Sequence, residues 1–168
     1  MPYRRPERLS REHELDNFDC GELALDEWLK RHVRAADASE SARVFVVTED
    51  GATVVAYYAL AAAQVEPRSA TARAAKGQPS RPIPAILLAR LAVDHQHQGQ
   101  GLGRSLLQDV MLRCVAAADE IGVRVLLVHA KHERAKQWYE RYGFEESPTD
   151  TLHLMLLMKD IRRFADSL

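Results

Sequence analysis

Asp94-His95-Gln96-His97-Gln98-Gly99-Gln100-Gly101-Leu102-Gly103-Arg104-Ser105 is the stretch whose residue types and spacing are most suggestive of chemistry. It stands between an apolar run, Ile86 to Val93, that reads as a buried strand, and a run with helical spacing. A strand-to-helix junction with three glycines exposes backbone N–H groups at the positive end of a helix, an arrangement that holds a phosphate or pyrophosphate. Glycine-rich turns also arise for purely structural reasons. The familiar nucleotide patterns fit poorly: no Gly-Lys-Ser/Thr closes the stretch as in a P-loop, and the even spacing of Gly99, Gly101 and Gly103 is not that of a dinucleotide fingerprint.

The elements that must position this loop follow from patterning. Residues 1 to 18 are polar and read as an arm or short strand. Asp19 standing three before Glu22 has the form of a capping box, and Leu25, Trp28, Leu29 and Ala36 recur at helical spacing, so a helix is expected over about 21 to 36. Arg43 to Thr48 and Thr53 to Val65 flank Asp50-Gly51 and predict an antiparallel hairpin. Residues 66 to 84 carry Pro67, Gly77, Pro79, Pro82 and Pro84 among Arg68, Arg73, Lys76 and Arg81, and read as a mobile linker or a substrate-facing loop.

Ile86 to Val93 has the composition of a central strand, with Arg90 its charged exception, in need of a buried partner or an anion. Leu106, Val110, Cys114, Ala118 and Ile121 mark the buried stripe of a helix stopped by Gly122. Val123 to Val128 reads as a buried strand, Glu133 to Tyr142 as a short helix closed by Gly143, and Thr151 to Met158 as a last strand before a polar tail. The expected class is α/β, a mixed central sheet with helices on both faces. At 168 residues and 46% hydrophobic content, one domain over 1–168 is expected.

Gln98-x-x-Gly101-x-Gly103, directly after Leu91-Ala92-Val93, resembles the pyrophosphate-binding motif of the GNAT superfamily of acyl-CoA N-acyltransferases. A second match follows about 35 residues on, where Ala135, Tyr139, Gly143 and Phe144 fit the family's Ala-x-x-x-Tyr-x-x-x-Gly-Phe. The resemblance implies the GNAT fold and acetyl-CoA as cofactor. It places Leu91, Ala92, Val93, Gln98, Gly99, Gln100, Gly101, Leu102, Gly103, Arg104, Ser105 and Ala135 against the coenzyme, with backbone N–H groups of Leu91 and Val93 polarising the thioester carbonyl. Ala135 lies one turn from Tyr139 and leaves room beside the phenol for a thin ligand arm. A tyrosine of pKa ~10 is a competent proton donor to a departing thiolate whose thiol has pKa ~8.5, and Tyr139 is the catalytic candidate by chemistry and by resemblance; the alternative is a core aromatic. Where many relatives carry Asn or Asp, this chain has His132. No Cys or carboxylate spacing around His95, His97, His129 and His132 supports a metal site.

Further stretches resemble the GNAT toxins of type II toxin–antitoxin systems: Phe18-Asp19-Cys20-Gly21 with Leu25-Asp26-x-Trp28-Leu29, Ala56-Tyr57-Tyr58-Ala59-Leu60, and Ile83 to Val93, over about residues 15 to 160. That likeness implies acetylation of the α-amine of aminoacyl-tRNA, a block of translation, a neutralising ribbon-helix-helix antitoxin, DNA contact only through the antitoxin complex, and a homodimer. The formal net charge of −1 supplies no global attraction to RNA, so a local basic rim is required. Lys30, Arg31, Arg34, Arg68, Arg73, Lys76, Arg81 and Arg90 are the candidates, with Lys30, Arg34, Arg73, Lys76, Arg81 and Arg90 assigned to substrate binding. A small-molecule or protein amine is the alternative acceptor, and a non-catalytic acyl-CoA-binding or co-repressor protein the alternative class. Two cysteines, no run of ~20 apolar residues and no leader pattern fit a cytoplasmic protein with no disulfide and no membrane association.

Overall fold

Alternating and continuous runs of Val, Leu, Ile and Tyr make the strands of this chain, and the order of elements follows the sequence closely. A computed structural model describes residues 2–78 and 80–166; Pro79, named above in the proline-rich segment, lies outside the described residues. The elements are β1 (Glu7–Arg8), α1 (Leu23–Glu27), a π-helical turn (Trp28–His32), α2 (Val33–Ala38), β2 (Arg43–Thr48), β3 (Val54–Val65), α3 (Ala72–Ala75), β4 (Ile83–Val93), α4 (Leu102–Glu120), β5 (Val125–His129), α5 (Glu133–Glu140), β6 (Glu145–Glu146), β7 (His153–Leu157) and α6 (Met158–Asp166). The strands form one sheet of seven in the order β1-β2-β3-β4-β5-β7-β6. It is mixed: β1, β2 and β3 are joined antiparallel, β4 and β5 parallel, and β7 antiparallel to β5 and β6.

By packing, the chain divides into two compact units, Met1–Ala61 with Ala89–Asp109, and Ala62–Leu88 with Val110–Leu168. In the first, the expected hairpin forms with Arg43 opposite Leu60, and Gly51 takes the left-handed conformation its turn demands (φ 89°). Alternation along β2 assigns the faces. Val44 and Val46 pack with Leu25, Leu29 and Val33 of the helical segment, whereas Val47 packs with Leu102 and Leu106 at the start of α4. Helices therefore cover both faces of these strands.

In the second unit, Val125 and Leu127 of β5 share a core with Met155 and Leu157 of β7 and with Ala70 and Ala74. The parallel register of β4 with β5 runs from Ala85 opposite Val125 to Leu88 opposite Val128. Within the proline-rich segment, a 3-10 turn at Pro67–Ser69 is held by the hydroxyls of Ser147 and Thr149, which donate to Ser69 O and Ser69 Oγ, and the one-turn α3 by Arg124, whose guanidinium donates to the carbonyls of Ala74, Arg73 and Lys76.

Three sequence readings need correction. The capping box does not form, because Asp19 Oδ1 accepts from Gly21 N–H at 3.0 Å while α1 starts at Leu23 behind Glu22, whose side chain makes no capping bond. The stripe of α4 ends early: Leu106, Val110 and Cys114 are buried, but Ile121 lies beyond the helix and is 65% exposed. The polar tail is helical from Met158 to Asp166, buries Ile161, and follows β7 without a linker.

Candidate active site

In the first unit the glycine loop is fixed by its own Asp94 and Gln98 together with residues outside it. Asp94 is the keystone. Its buried carboxylate accepts from the N–H of Gln96 and the N–H of Asp19, both at 3.0 Å, and its own N–H donates to Val55 O at 2.8 Å. His95 N–H donates to Asp19 O at 2.8 Å, and Gln98 Nε2 donates to Val93 O (2.9 Å) and Cys20 O (3.0 Å). From the N-terminal arm, the Tyr3 hydroxyl donates to Gln100 Oε1 at 3.0 Å and lies 2.9 Å from His97 Nδ1.

Held this way, Gly99 (φ 77°) and Gly101 (φ 81°) turn the chain through the left-handed region, whereas Gly103 is already inside α4. A side chain at Gly99 or Gly101 would meet no atom within 4 Å, so the space above the loop is open. The first helical bond is Ser105 N–H to Gly101 O at 3.1 Å, which leaves the first-turn N–H groups through Leu102, Gly103 and Arg104 without an earlier carbonyl of the helix to receive them. Open space over a row of unreceived donors at a helix N-terminus fits a pyrophosphate. At the end of β4, Asp94 N–H points to β3, so strand geometry turns the N–H of Val93, and of Leu91 two residues earlier, to the opposite edge. Ala92 between them is buried in the core.

Tyr139 belongs to the second unit, on α5. His132 stands at the N-cap with Nδ1 accepting from Ala135 N–H at 3.1 Å, so it performs the capping that Asn or Asp would. Lys136, buried on the same helix, is ion-paired with Glu146 of β6. Tyr139 is 8% exposed, its ring edge-on to Phe144 at 5.4 Å and to Trp138 at 5.0 Å. Burial raises its phenol above the ordinary value of 10, so it stays protonated at neutral pH. Among the described residues no side chain or carbonyl receives its hydroxyl, and no fully buried side-chain polar atom lacks a partner, so that hydroxyl is not sealed in the core.

The basic residues named from sequence fare differently. Arg34 donates to the carbonyls of Ser10 (2.9 Å) and His13 (2.7 Å). Arg90 makes no buried ion pair among the described residues: its guanidinium lies over Trp28, 5.0 Å from the ring centroid, and donates to Ala89 O at 2.7 Å. Arg73 is ion-paired with Glu145 (2.6 Å) and Asp160 (2.9 Å). Lys30, Lys76 and Arg81 are exposed. Burial pushes the thiols of Cys20 and Cys114 up to about 12, so neither is a nucleophile at neutral pH.

The roles of Asp94, Asp19 and Tyr3 in building the loop were not read from sequence. Asp94 carried a usable signal, since an aspartate two before Gln96 at a strand exit is the pattern of an Asx turn. Tyr3 carried none, its partners being 94 and 97 residues away.

A glycine loop opens a helix after a central strand, and a tyrosine stands on the helix after the next strand. The chain belongs to the GNAT acetyltransferase family: the Acetyltransferase (GNAT) domain matches residues 40–146. It is 48% identical over 160 residues to the tRNA-acetylating toxin of Mycobacterium tuberculosis, covering 95% of each chain. Among solved structures it superposes on AtaT complexed with acetyl-methionyl-tRNAfMet with a TM-score of 0.88 at 28% identity, over 95% of this chain and 97% of that one. A tyrosine-to-phenylalanine mutant of the AtaT toxin, bound to the C-terminus of the antitoxin AtaR and acetyl-CoA, matches with a TM-score of 0.82 at 27% identity, over 95% and 96%.

Proposed function

We propose that this protein is an acetyl-CoA-dependent N-acetyltransferase toxin that acetylates the α-amine of aminoacyl-tRNA and so blocks translation. The 48% identity to a tRNA-acetylating toxin across 95% of the chain carries this reading. The AtaT complexes with acetylated initiator tRNA, and with acetyl-CoA and the antitoxin C-terminus, support the same acceptor, donor and neutralising partner. That partner is a ribbon-helix-helix antitoxin, and DNA is engaged only through it. None of the helices is long and apolar enough to cross a membrane among the described residues, and the proposed substrate assigns the protein to the cytoplasm.

Acetyl-CoA supplies the acetyl group already activated as a thioester. The N–H groups at the start of α4, with Gly99 and Gly101 leaving the space above them open, hold its pyrophosphate. Leu91 and Val93 present backbone N–H groups to the carbonyl oxygen on which charge develops. An α-amine of pKa ~7.7 to 8.0 is partly neutral near pH 7 and attacks without a strong base; its surplus proton is lost to water. As the new C–N bond forms and the C–S bond breaks, Tyr139 gives its phenolic proton to the sulfur, and it regains one from solvent at a hydroxyl that no group among the described residues receives.

Incubation of the purified protein with labelled acetyl-CoA and a panel of aminoacyl-tRNAs tests the reading. Label is expected on at least one charged tRNA and on none stripped of its amino acid. Label on a small amine or a protein amine with no charged tRNA labelled overturns it.

A further inference from the structure

A pocket of about 500 Å³ opens in the second unit between the proline-rich segment, the N-terminal ends of β4 and β5 and the C-terminal end of β7, and four of its lining residues, Arg73, Lys76, Arg124 and Lys159, are cationic. The two arginines are engaged. Arg124 is held by three carbonyls of the α3 segment at 2.8 to 3.2 Å, and Arg73 by Glu145 and Asp160. The two lysines are exposed and have no ion-pair partner among the described residues. Against Glu145 and Asp160, the four cations leave an excess of two positive charges, concentrated on Lys76 and Lys159.

We propose that this pocket binds a backbone phosphate of the RNA acceptor, with Lys76 and Lys159 as the contacts and Arg73 and Arg124 as the braces that hold the pocket open. The proposal rests on the aminoacyl-tRNA reading above. It accounts for how a chain of net charge −1 attracts a polyanion, since the excess charge is gathered in one recess. The chemistry favours phosphate over a peptide carboxylate: paired recognition of carboxylates belongs to arginine forks, and both forks here are already committed, whereas lysine acts on phosphate as a mobile point charge. Pro84 and Leu157 add an apolar wall on which a ribose can rest. The pocket lies at the N-terminal end of β5, one strand length of about 16 Å from the C-terminal end that precedes the helix of Tyr139, so it gives the acceptor a second point of attachment away from the reacting amine.

The test compares wild type with Lys76→Ala/Lys159→Ala and Lys76→Glu/Lys159→Glu, both at exposed positions, with a melting curve to confirm folding. Affinity for a substrate aminoacyl-tRNA is measured across about 50 to 300 mM salt, alongside affinities for acetyl-CoA and for the antitoxin. The alanine pair should weaken RNA binding about tenfold and lower the slope of log affinity against log salt by about 1 per lysine, uniformly across tRNAs, with acetyl-CoA binding unmoved. Unchanged RNA affinity and slope, in a preparation whose wild type acetylates charged tRNA, overturns the pocket and leaves the acceptor reading standing. Weakened acetyl-CoA binding instead would assign the phosphate to the coenzyme, and weakened antitoxin binding alone would assign the lysines to an acidic protein segment; either overturns the proposal. Wild type that labels no charged tRNA yet loses RNA affinity on substitution overturns the acceptor reading and keeps the pocket.

Discussion

Tyr139→Phe removes a single oxygen atom, and the surroundings of that oxygen fix what should follow. The ring is 8% exposed and packed edge-on to Phe144 and Trp138, contacts that phenylalanine reproduces. Because no group among the described residues receives the hydroxyl, its loss breaks none of their hydrogen bonds, and stability should stay within about 0.5 kcal/mol of wild type. The chemical step should suffer far more. Loss of a positioned proton donor typically slows a reaction about 10² to 10⁴-fold, or about 2.7 to 5.5 kcal/mol of barrier. Single-turnover transfer from labelled acetyl-CoA to saturating charged tRNA reads the rate, and a melting curve and an acetyl-CoA titration on the same sample separate chemistry from folding and binding. Burial raises the phenol above its ordinary value, so the proton-donating form persists to higher pH and the wild-type rate should show no decline from its ionisation between about pH 7 and 9.5. A Phe variant within about fivefold of wild type, or a rate loss that merely tracks a fallen melting temperature, would refute the assignment.

Gly101→Ala places a Cβ on a left-handed residue (φ 81°) with nothing within 4 Å, so it should cost only about 1 to 2 kcal/mol of backbone strain in a urea titration while weakening acetyl-CoA binding, because the methyl group enters the open space above the loop. His132→Ala removes the cap of α5 and should cost about 1 kcal/mol, and His132→Asn should restore most of it; equal losses in the two would show that the Nδ1 bond to Ala135 is not the working part. His129 is stacked on His153 at 3.8 Å, and desolvation, with the neighbouring imidazole second, lowers it below the usual 6.5. The unfolded chain then binds more protons, so stability should fall as pH drops below about 6.5, and His129→Gln should flatten that dependence in melting curves taken from pH 7.5 to 5.

Elements whose cause is local were readable from the sequence. The β2–β3 hairpin is specified by β-branched runs about Asp50-Gly51, and α5 by its own spacing between strand and Gly143. What escaped depends on partners far along the chain. The start of α1 looked like a capping box because Asp19 and Glu22 have the correct spacing, but Asp19 N–H is taken by Asp94, 75 residues away, which leaves that aspartate outside the helix. The proline-rich segment has no regular pattern of its own, and its turn and its one-turn helix are held by Ser147, Thr149 and Arg124, all far along the chain. Arg90 was expected to need an acid or an anion, yet an aromatic face answers a guanidinium as well, and nothing in the local sequence pairs it with Trp28. At the site, the glycine and tyrosine motifs announced the coenzyme because their chemistry is carried by consecutive residues, whereas the rim could not be judged from the count of basic residues: Arg34, Arg73 and Arg90 are engaged in building the protein itself.

The glycine loop's anchors at Tyr3, Asp19 and Cys20 also govern when the coenzyme site comes into being. Contacts between positions 75 to 97 residues apart close late in folding, so the donors at the start of α4 become competent only once the whole first unit has assembled. A chain whose first unit is unfolded is then unable to retain coenzyme, and coenzyme in turn protects the assembled unit, by about 2.7 kcal/mol when it stands at a hundred times its dissociation constant. Fragments that contain the motif but lack the N-terminal arm should therefore be unable to hold coenzyme.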